Sequence, residues 1–266
     1  MKKIIYIILA VASSFLVSSC EKIVTVDLHS VEPRLVIEGK VPLNEYATVR
    51  LTTTKDFYSD NEFEPILGAV ITIEADNGEF DTLDYDPLKK LYVSDKIVGQ
   101  ERVTYNLMVV LDEAEYTATS KMPPLVPIDS LTMDFVKSVN TKYPYPYVHF
   151  QDPVGKENDY YRHLVFINGK KHTLNDDAMT SMDHSDGIYV SRLITVSSND
   201  EDNHPIKKGD EITIEQQCLD KSCFKFFNTL SNIDNSMNNP TTNIAGGALG
   251  YFSAYSFTRA SIIAEW

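Results

Sequence analysis

A thiol can take up a lipid, close a disulfide or ligate a metal, and its neighbours decide among these. Cys20 closes the run Val17-Ser18-Ser19-Cys20, in which an aliphatic residue and two small ones fit a narrow protease pocket and the thiol stands as the nucleophile that accepts a lipid. Ahead of it, Lys2-Lys3 and the uncharged stretch from Ile4 to Ser19 have the layout of an export signal. That stretch is shorter than the roughly 20 apolar residues of a membrane-spanning helix. These features predict a lipoprotein signal peptide over 1–19, lipidation of Cys20 and a tether over 20–31. Acyl chains would then hold the protein at a membrane, each buried CH₂ contributing about 0.8 kcal/mol. An ordinary secretory signal with a chance cysteine is the alternative. Cys218 and Cys223 suit either a disulfide, permitted in an oxidising compartment, or two small buried apolar side chains. Their spacing matches no zinc finger.

The other reactive types are dispersed. None of the six histidines stands in a His-x-x-x-His or His-Glu-x-x-His arrangement. His149 and His163 fall on neighbouring expected strands, where they would form a metal pair or serve as polar residues of a sheet face. No transition-metal site is assigned. Asp176, Asp177, Asp183 and Asp186, with Asn175, supply the hard oxygen ligands that calcium takes, but not in the EF-hand order. A solvated acidic loop is the alternative, there and at Asn199-Asp200-Glu201-Asp202-Asn203. No Gly-x-Ser-x-Gly elbow occurs. Gly246-Gly247-Ala248-Leu249-Gly250 lacks the Lys-Ser or Lys-Thr end of a phosphate loop, so its glycines are expected to turn a loop tightly or to let backbones approach. No catalytic residue and no cofactor are expected.

Aromatic side chains are in surplus. Tyr143, Tyr145 and Tyr147 alternate with Pro144 and Pro146 in a stiff segment that would display rings on one side. Flat apolar rings with a polar tip suit sugars or peptides, so Tyr143, Tyr145, Tyr147, Tyr251 and Tyr255 are candidate contacts to an unknown glycan or peptide ligand. Packing in a seam between domains, or in a core, is the competing reading. Formal net charge is −14, from 24 basic and 38 acidic residues, and removal of Lys2 and Lys3 makes it more negative. Such a surface repels nucleic acid, whose binding depends on basic neutralisation, and no nucleic-acid partner is expected.

Period-two apolar alternation recurs through the chain. Arg34–Glu38, Ala47–Thr52, Ala69–Ala75, Leu91–Val93, Thr104–Val110 and Glu115–Ser120 read as strands, with Asn77-Gly78 as a hairpin turn. Their spacing predicts an immunoglobulin-like or transthyretin-like β-sandwich over 32–122. Pro123-Pro124 and Pro127 interrupt any ladder, which sets a domain boundary there. A second antiparallel β domain follows over 123–266, with strands at 130–139, 147–151, 160–168, 187–196, 211–218 and 251–265. Phe224, Phe227, Leu230 and Ile233 recur at helical spacing and predict one short helix over 220–233. The polar segments 171–186 and 197–209 read as loops. The fold class is all-β.

Five blocks of this chain, in order, resemble a family of Bacteroidota lipoproteins grouped as domain of unknown function family 4249. They are Pro33–Gly39, Gly68–Ile73, the hinge Pro123-Pro124-Leu125-Val126-Pro127-Ile128-Asp129-Ser130-Leu131, the central Phe150–Pro153 with Asn158–Arg162, and the segment from Pro240 through Gly246-Gly247 to Gly250–Tyr255. Cys218 and Cys223 stand outside the family's pattern. The resemblance implies a lipid-anchored outer-membrane protein on the periplasmic or the cell-surface face, commonly encoded beside a TonB-dependent outer-membrane receptor, and it implies no activity. The resulting expectation is a non-catalytic accessory or ligand-capture subunit of a TonB-dependent nutrient-uptake system. A structural or adhesion lipoprotein, and an envelope hydrolase with an unrecognised site, are the alternatives.

Overall fold

Strands that alternate apolar and polar residues have one dry face and one wet face, and the architecture follows from where the dry faces meet. The computed structural model describes residues 32–55, 63–138, 141–155, 160–172, 178–196, 205–232 and 239–266. The chain divides into Met1–Glu32, of which only Glu32 is described, and Pro33–Trp266, to which everything below refers. The first half holds β1 (Leu35–Pro42), β2 (Tyr46–Thr53), β3 (Val70–Ala75), β4 (Phe80–Thr82), β5 (Asp84–Asp86), β6 (Leu91–Val98), β7 (Thr104–Leu111) and β8 (Ala114–Lys121). The second holds β9 (Ser130–Ser138), β10 (Thr141–Gln151), β11 (Tyr160–Ile167), β12 (Lys170–Lys171), β13 (Ala178–Ser181), β14 (Tyr189–Leu193) and β15 (Glu211–Cys218). Helix α1 (Lys221–Ser231), β16 (Ile244–Ala245) and β17 (Leu249–Ile263) complete the chain.

The protein is nearly all β, built as two sandwiches that share one sheet. A nine-stranded sheet runs β12-β11-β15-β17-β1-β2-β6-β5, with β13 also on β11. A five-stranded sheet, β16-β8-β7-β3-β4, closes a first core containing Ile37, Val49, Ile73, Leu107 and Phe252. A three-stranded sheet, β14-β10-β9, closes a second with Val148, Phe150, Tyr161, Ile212 and Ile214. The shared member is β17. Its first half pairs in parallel with β1, Ile37 opposite Gly250 through Pro42 opposite Tyr255. Its second half pairs antiparallel with β15, Cys218 opposite Ser256 through Glu211 opposite Ile263.

A cut of the chain at the prolines therefore does not separate the two cores. Met122 belongs to the first and Val126 to the second, so the chain does change cores there, but Ile244, Phe252 and Ala254 return to the first. Two glycines make the return feasible. Gly250 has φ +98°, and any Cβ on it would land on the Ile37 carbonyl oxygen across the parallel pair. Gly246, at φ +96°, lies against the backbone of β8, where a Cβ would meet Glu115 O at 2.5 Å.

Local differences from the sequence expectation have local causes. Strand β10 runs through both of its prolines. Ile194 N donates to Pro146 O, so this side of Pro146 faces β14, whose pairing stops at Tyr147, and the missing proline donors point to an edge with no ladder. Polar Ala178–Ser181 is a strand on the edge of β11, not loop. Asn77-Gly78 turns the chain as expected: Glu74 pairs with Phe80, and Asn77 Oδ1 accepts from Glu79 N at 3.0 Å. Helix α1 starts at Asp220, whose carboxylate accepts from Cys223 N at 2.9 Å. Its buried face is Cys223, Phe226 and Phe227, and Leu230 is 38% exposed. The stripe expected from Phe224, Phe227 and Leu230 is thus rotated, because Cys223 is drawn down onto the backbone of β17. Ile233 lies outside the described residues. No helix among the described residues is long and apolar enough to cross a membrane.

Candidate functional site

Alternation along β10 sends Pro144, Pro146, Val148 and Phe150 into the second core and leaves Tyr143, Tyr145, Tyr147 and His149 half-buried on the opposite face. The tyrosines do not fill a seam between cores, since their side of the three-stranded sheet faces away from the second core. Tyr189, on the neighbouring β14, is exposed and extends the row. The Tyr147 and His149 rings lie 6.4 Å apart and 17° from parallel, and His149 and Tyr189 lie 6.4 Å apart at 14°. Thr132 Oγ1 holds His149 Nε2 at 2.8 Å. At about 3.3 Å per residue the row from Tyr143 to His149 is about 20 Å long. It is a strip of rings, near-parallel across Tyr147, His149 and Tyr189, suited to stacking against an extended ligand.

Tyr251 and Tyr255 lie elsewhere. On β17 the even residues Phe252 and Ala254 enter the first core, whereas Tyr251, Ser253, Tyr255, Phe257 and Arg259 face outward onto the far side of the nine-stranded sheet. There they floor a basin of about 360 Å³ whose walls come from β1, β11, β12, β15 and α1. Tyr251 is buried beneath Phe226 and Phe227, with ring centroids 4.9 and 4.8 Å away. Burial pushes the hydroxyls of Tyr251 and Tyr255 well above their usual range, so both stay protonated donors. Glu215, buried on β15, accepts from Arg259 Nε at 2.8 Å and lies 2.7 Å from its Nη2, while Gln217 donates to its other oxygen at 2.6 Å. The Arg162 guanidinium lies 3.6 Å from the centre of the Phe227 ring.

A third grouping is buried. Among the described residues no strand pairs with the first half of β17 on its edge opposite β1, and side chains satisfy that backbone instead. Asn243 accepts from Phe252 N at 3.0 Å and donates to Phe252 O at 2.8 Å. Ser120 Oγ accepts from Ala254 N at 2.9 Å and donates to Asp220. Cys223 Sγ donates to Phe252 O at 3.0 Å. Serine, aspartate and thiol side by side resemble a nucleophile site in composition alone. Burial, followed by the nearby Asp220 charge, drives the Cys223 thiol well above its usual pKa, so it is a neutral donor and not a thiolate.

Of the other expected site residues, Cys218 and Cys223 are free thiols and form no bridge. Cys218 faces the second core beside Ile214, and burial lifts its pKa to about 11, whereas Cys223 packs with the helix aromatics. Asp183 accepts from Tyr160 OH at 2.5 Å and lies 3.9 Å from Lys221 Nζ, and Asp186 accepts from Gly155 N at 2.9 Å. Their engagements diverge, so the two do not converge on a cation. Asp176 and Asp177 lie outside the described residues, as do the acidic run 199–203 and Cys20 with its leader. Among the described residues no three potential metal ligands gather. His163 does not meet His149. It is buried in the second core, its ring near Ala178 O and Gln216 Oε1 at 3.3 and 3.1 Å, and burial lowers its pKa to about 4 against the opposing pull of those partners.

Lys40, Arg162, Glu215 and Arg259 were not singled out from sequence. Their only trace is a charged residue inside an apolar alternation, as in Glu211–Cys218, where Glu215 and Gln217 occupy one face.

Two sandwiches on a common sheet, with a ring-bearing outer strand and a charged basin, define an all-β protein with two presented surfaces. The family model for a domain of unknown function, DUF4249, matches residues 21–261, and the chain belongs to that family. No curated protein matches it. Among solved structures, a two fibronectin type-III domain segment from chicken tenascin is similar over 87% of this chain and 99% of its own, at 8% identity and a TM-score of 0.23.

Proposed function

We propose that this protein is a lipid-anchored, non-catalytic ligand-capture protein of the bacterial outer membrane, serving as an accessory subunit to a TonB-dependent receptor. The observation that carries the capture role is the ring strip on β10 and the start of β14, where Tyr147, His149 and Tyr189 present near-parallel faces that remain partly open to solvent. Rings fixed by a strand lose little entropy on contact, so a glycan or an extended peptide laid along them gains stacking area at low cost. The anchor rests on the lipobox at Cys20, and the receptor partner rests on the family resemblance.

The test has two arms. Oligosaccharides and peptides are titrated against the purified protein while tyrosine fluorescence is followed, first with the native chain and then with Tyr145→Ala and Tyr147→Ala. A ligand that binds the native chain and loses about tenfold or more in affinity with either substitution supports the reading. Binding that ignores both substitutions overturns the strip as the capture surface. Co-purification from detergent-solubilised membranes tests the partner, and sub-stoichiometric recovery of a TonB-dependent receptor overturns that part.

A further inference from the structure

The basin on the far face of the nine-stranded sheet is separate from the ring strip, and its chemistry differs. Its floor is aromatic: Tyr251, Tyr255 and Phe257 point outward along β17. Its polar lining combines the hydroxyls of Tyr251, Ser253 and Tyr255 with charged groups of both signs. The Tyr251 and Tyr255 hydroxyls are held protonated by burial, and Ser253 Oγ, on the same outward row, is almost fully buried with no partner among the described residues beyond an interaction with the Cys223 thiol. Unsatisfied buried hydroxyls are rare, because each forfeits the water it has given up. One such hydroxyl, that of Ser253, stands between two protonated phenols at every second residue of one strand face, an arrangement that complements an acceptor-rich ligand.

The charges point the same way. The chain as a whole is strongly acidic, yet Lys40, Arg162, Lys171 and Arg259 all line this one hollow. Of the three carboxylates there, Glu215 is held by Arg259 and Glu38 lies 3.5 Å from Arg50 on the neighbouring strand, while the charge of Glu45 acts on Tyr255. Lys40, at the rim, has its pKa lowered, first by desolvation, and the positive charges of Arg162, Lys171 and Arg50 add to that effect against the single favourable charge of Glu38. Four cations against three carboxylates leave the hollow a small positive excess, gathered around Lys40, above a floor that offers neutral donors.

We propose that the basin binds a small organic carboxylate, with the carboxylate at Lys40, the donors of Ser253 and Tyr255 beneath it, and the carbon skeleton against the rings of the floor. A carboxylate accepts from several donors at once and relieves the crowding of cations, which no neutral ligand does. The volume, about 360 Å³, lies at the lower end for small-molecule sites, so a single sugar acid or a short acyl amino acid suits it better than a polymer. These two sources share the same recognition chemistry.

Calorimetric titration of the purified full-length protein separates them. The matched probes are galacturonate against galactose, and N-acetylphenylalanine against its amide. At least one acid is expected to bind about tenfold or more tightly than its neutral match, and the pair in which this happens identifies the source. Lys40→Gln is expected to abolish that preference, while Tyr255→Phe, which keeps the ring and removes one donor, weakens the acid alone. An unchanged melting profile of Lys40→Gln is the check that the variant keeps its fold. Tyr145→Ala is expected to leave acid binding unchanged, which separates failure of the strip from failure of the basin. Equal binding of acid and neutral match in both pairs, no binding of either acid at about 10 mM, or an acid preference that survives Lys40→Gln overturns the proposal.

Discussion

The ring strip and the basin are opposite ways of building a surface. One strand, β10, supplies four of the five rings in the strip, at every second residue, so its geometry is settled by the period of a β-strand. The basin draws on β1, β11, β12, β15, β17 and α1, and exists only when strands far apart in the chain lie side by side. The strand that carries the strip should therefore keep its shape when one of its rings is replaced, even where binding is lost. The basin, by contrast, should fail whenever β17 is displaced. Surface sites made by one element and sites made by a topology thus differ in where they are vulnerable.

The largest break in that contrast is expected from Gly250→Ala. The added Cβ strikes the Ile37 carbonyl and the positive φ disfavours alanine, so a loss of about 4 kcal/mol or more is expected, read by urea denaturation. Both sandwiches should loosen together, since β17 serves both. Unfolding of the first with the second intact would show them to be independent.

Acid should act on the strip's side first. His163 sits in the second core with a pKa of about 4, against about 6.5 in an unfolded chain. The unfolded state takes the proton first, so stability is complete above about pH 6.5 and declines as pH falls toward 4, by about 3 kcal/mol in all. His163→Gln should flatten the slope of unfolding free energy against pH over this window. An unaltered slope would place the titrating group elsewhere.

Asn243→Ala should cost about 2 kcal/mol, because it leaves Phe252 N–H buried without a partner. Hydrogen exchange should quicken at Phe252 and its neighbours and not in β10, which sharpens the division between the two surfaces. The smallest effect is expected from Tyr145→Ala, at about 1 kcal/mol or less, since the ring is only half-buried. A loss well above that would make the strip part of a core.

The same contrast explains what could be read from residue order. The strip was legible in Tyr143-Pro144-Tyr145-Pro146-Tyr147, although the prolines hid the start of β10, because the free edge they point to is set by where β14 ends. Strands such as β3, β7 and β15 follow from local alternation. The pairing of β1 with β17 does not, as nothing in Leu35–Pro42 says that its partner comes last or runs parallel. The same ignorance put a boundary at Pro123 that the returning chain crosses, and left Cys218 and Cys223 open to bridging. Residues such as Lys40 and Arg162 looked like ordinary outward positions until the sheet placed them around one hollow.

The late position of β17 also has a kinetic meaning. A ribosome delivers β1 more than 200 residues before the strand that must lie against it, so the central ladder closes only once residues 249–255 have emerged, and contacts of such long range fold slowly. Until then β1 and β15 each present an open row of amides, ready to template association between molecules. A chain interrupted before Leu249 should therefore polymerise rather than persist as a stable fragment.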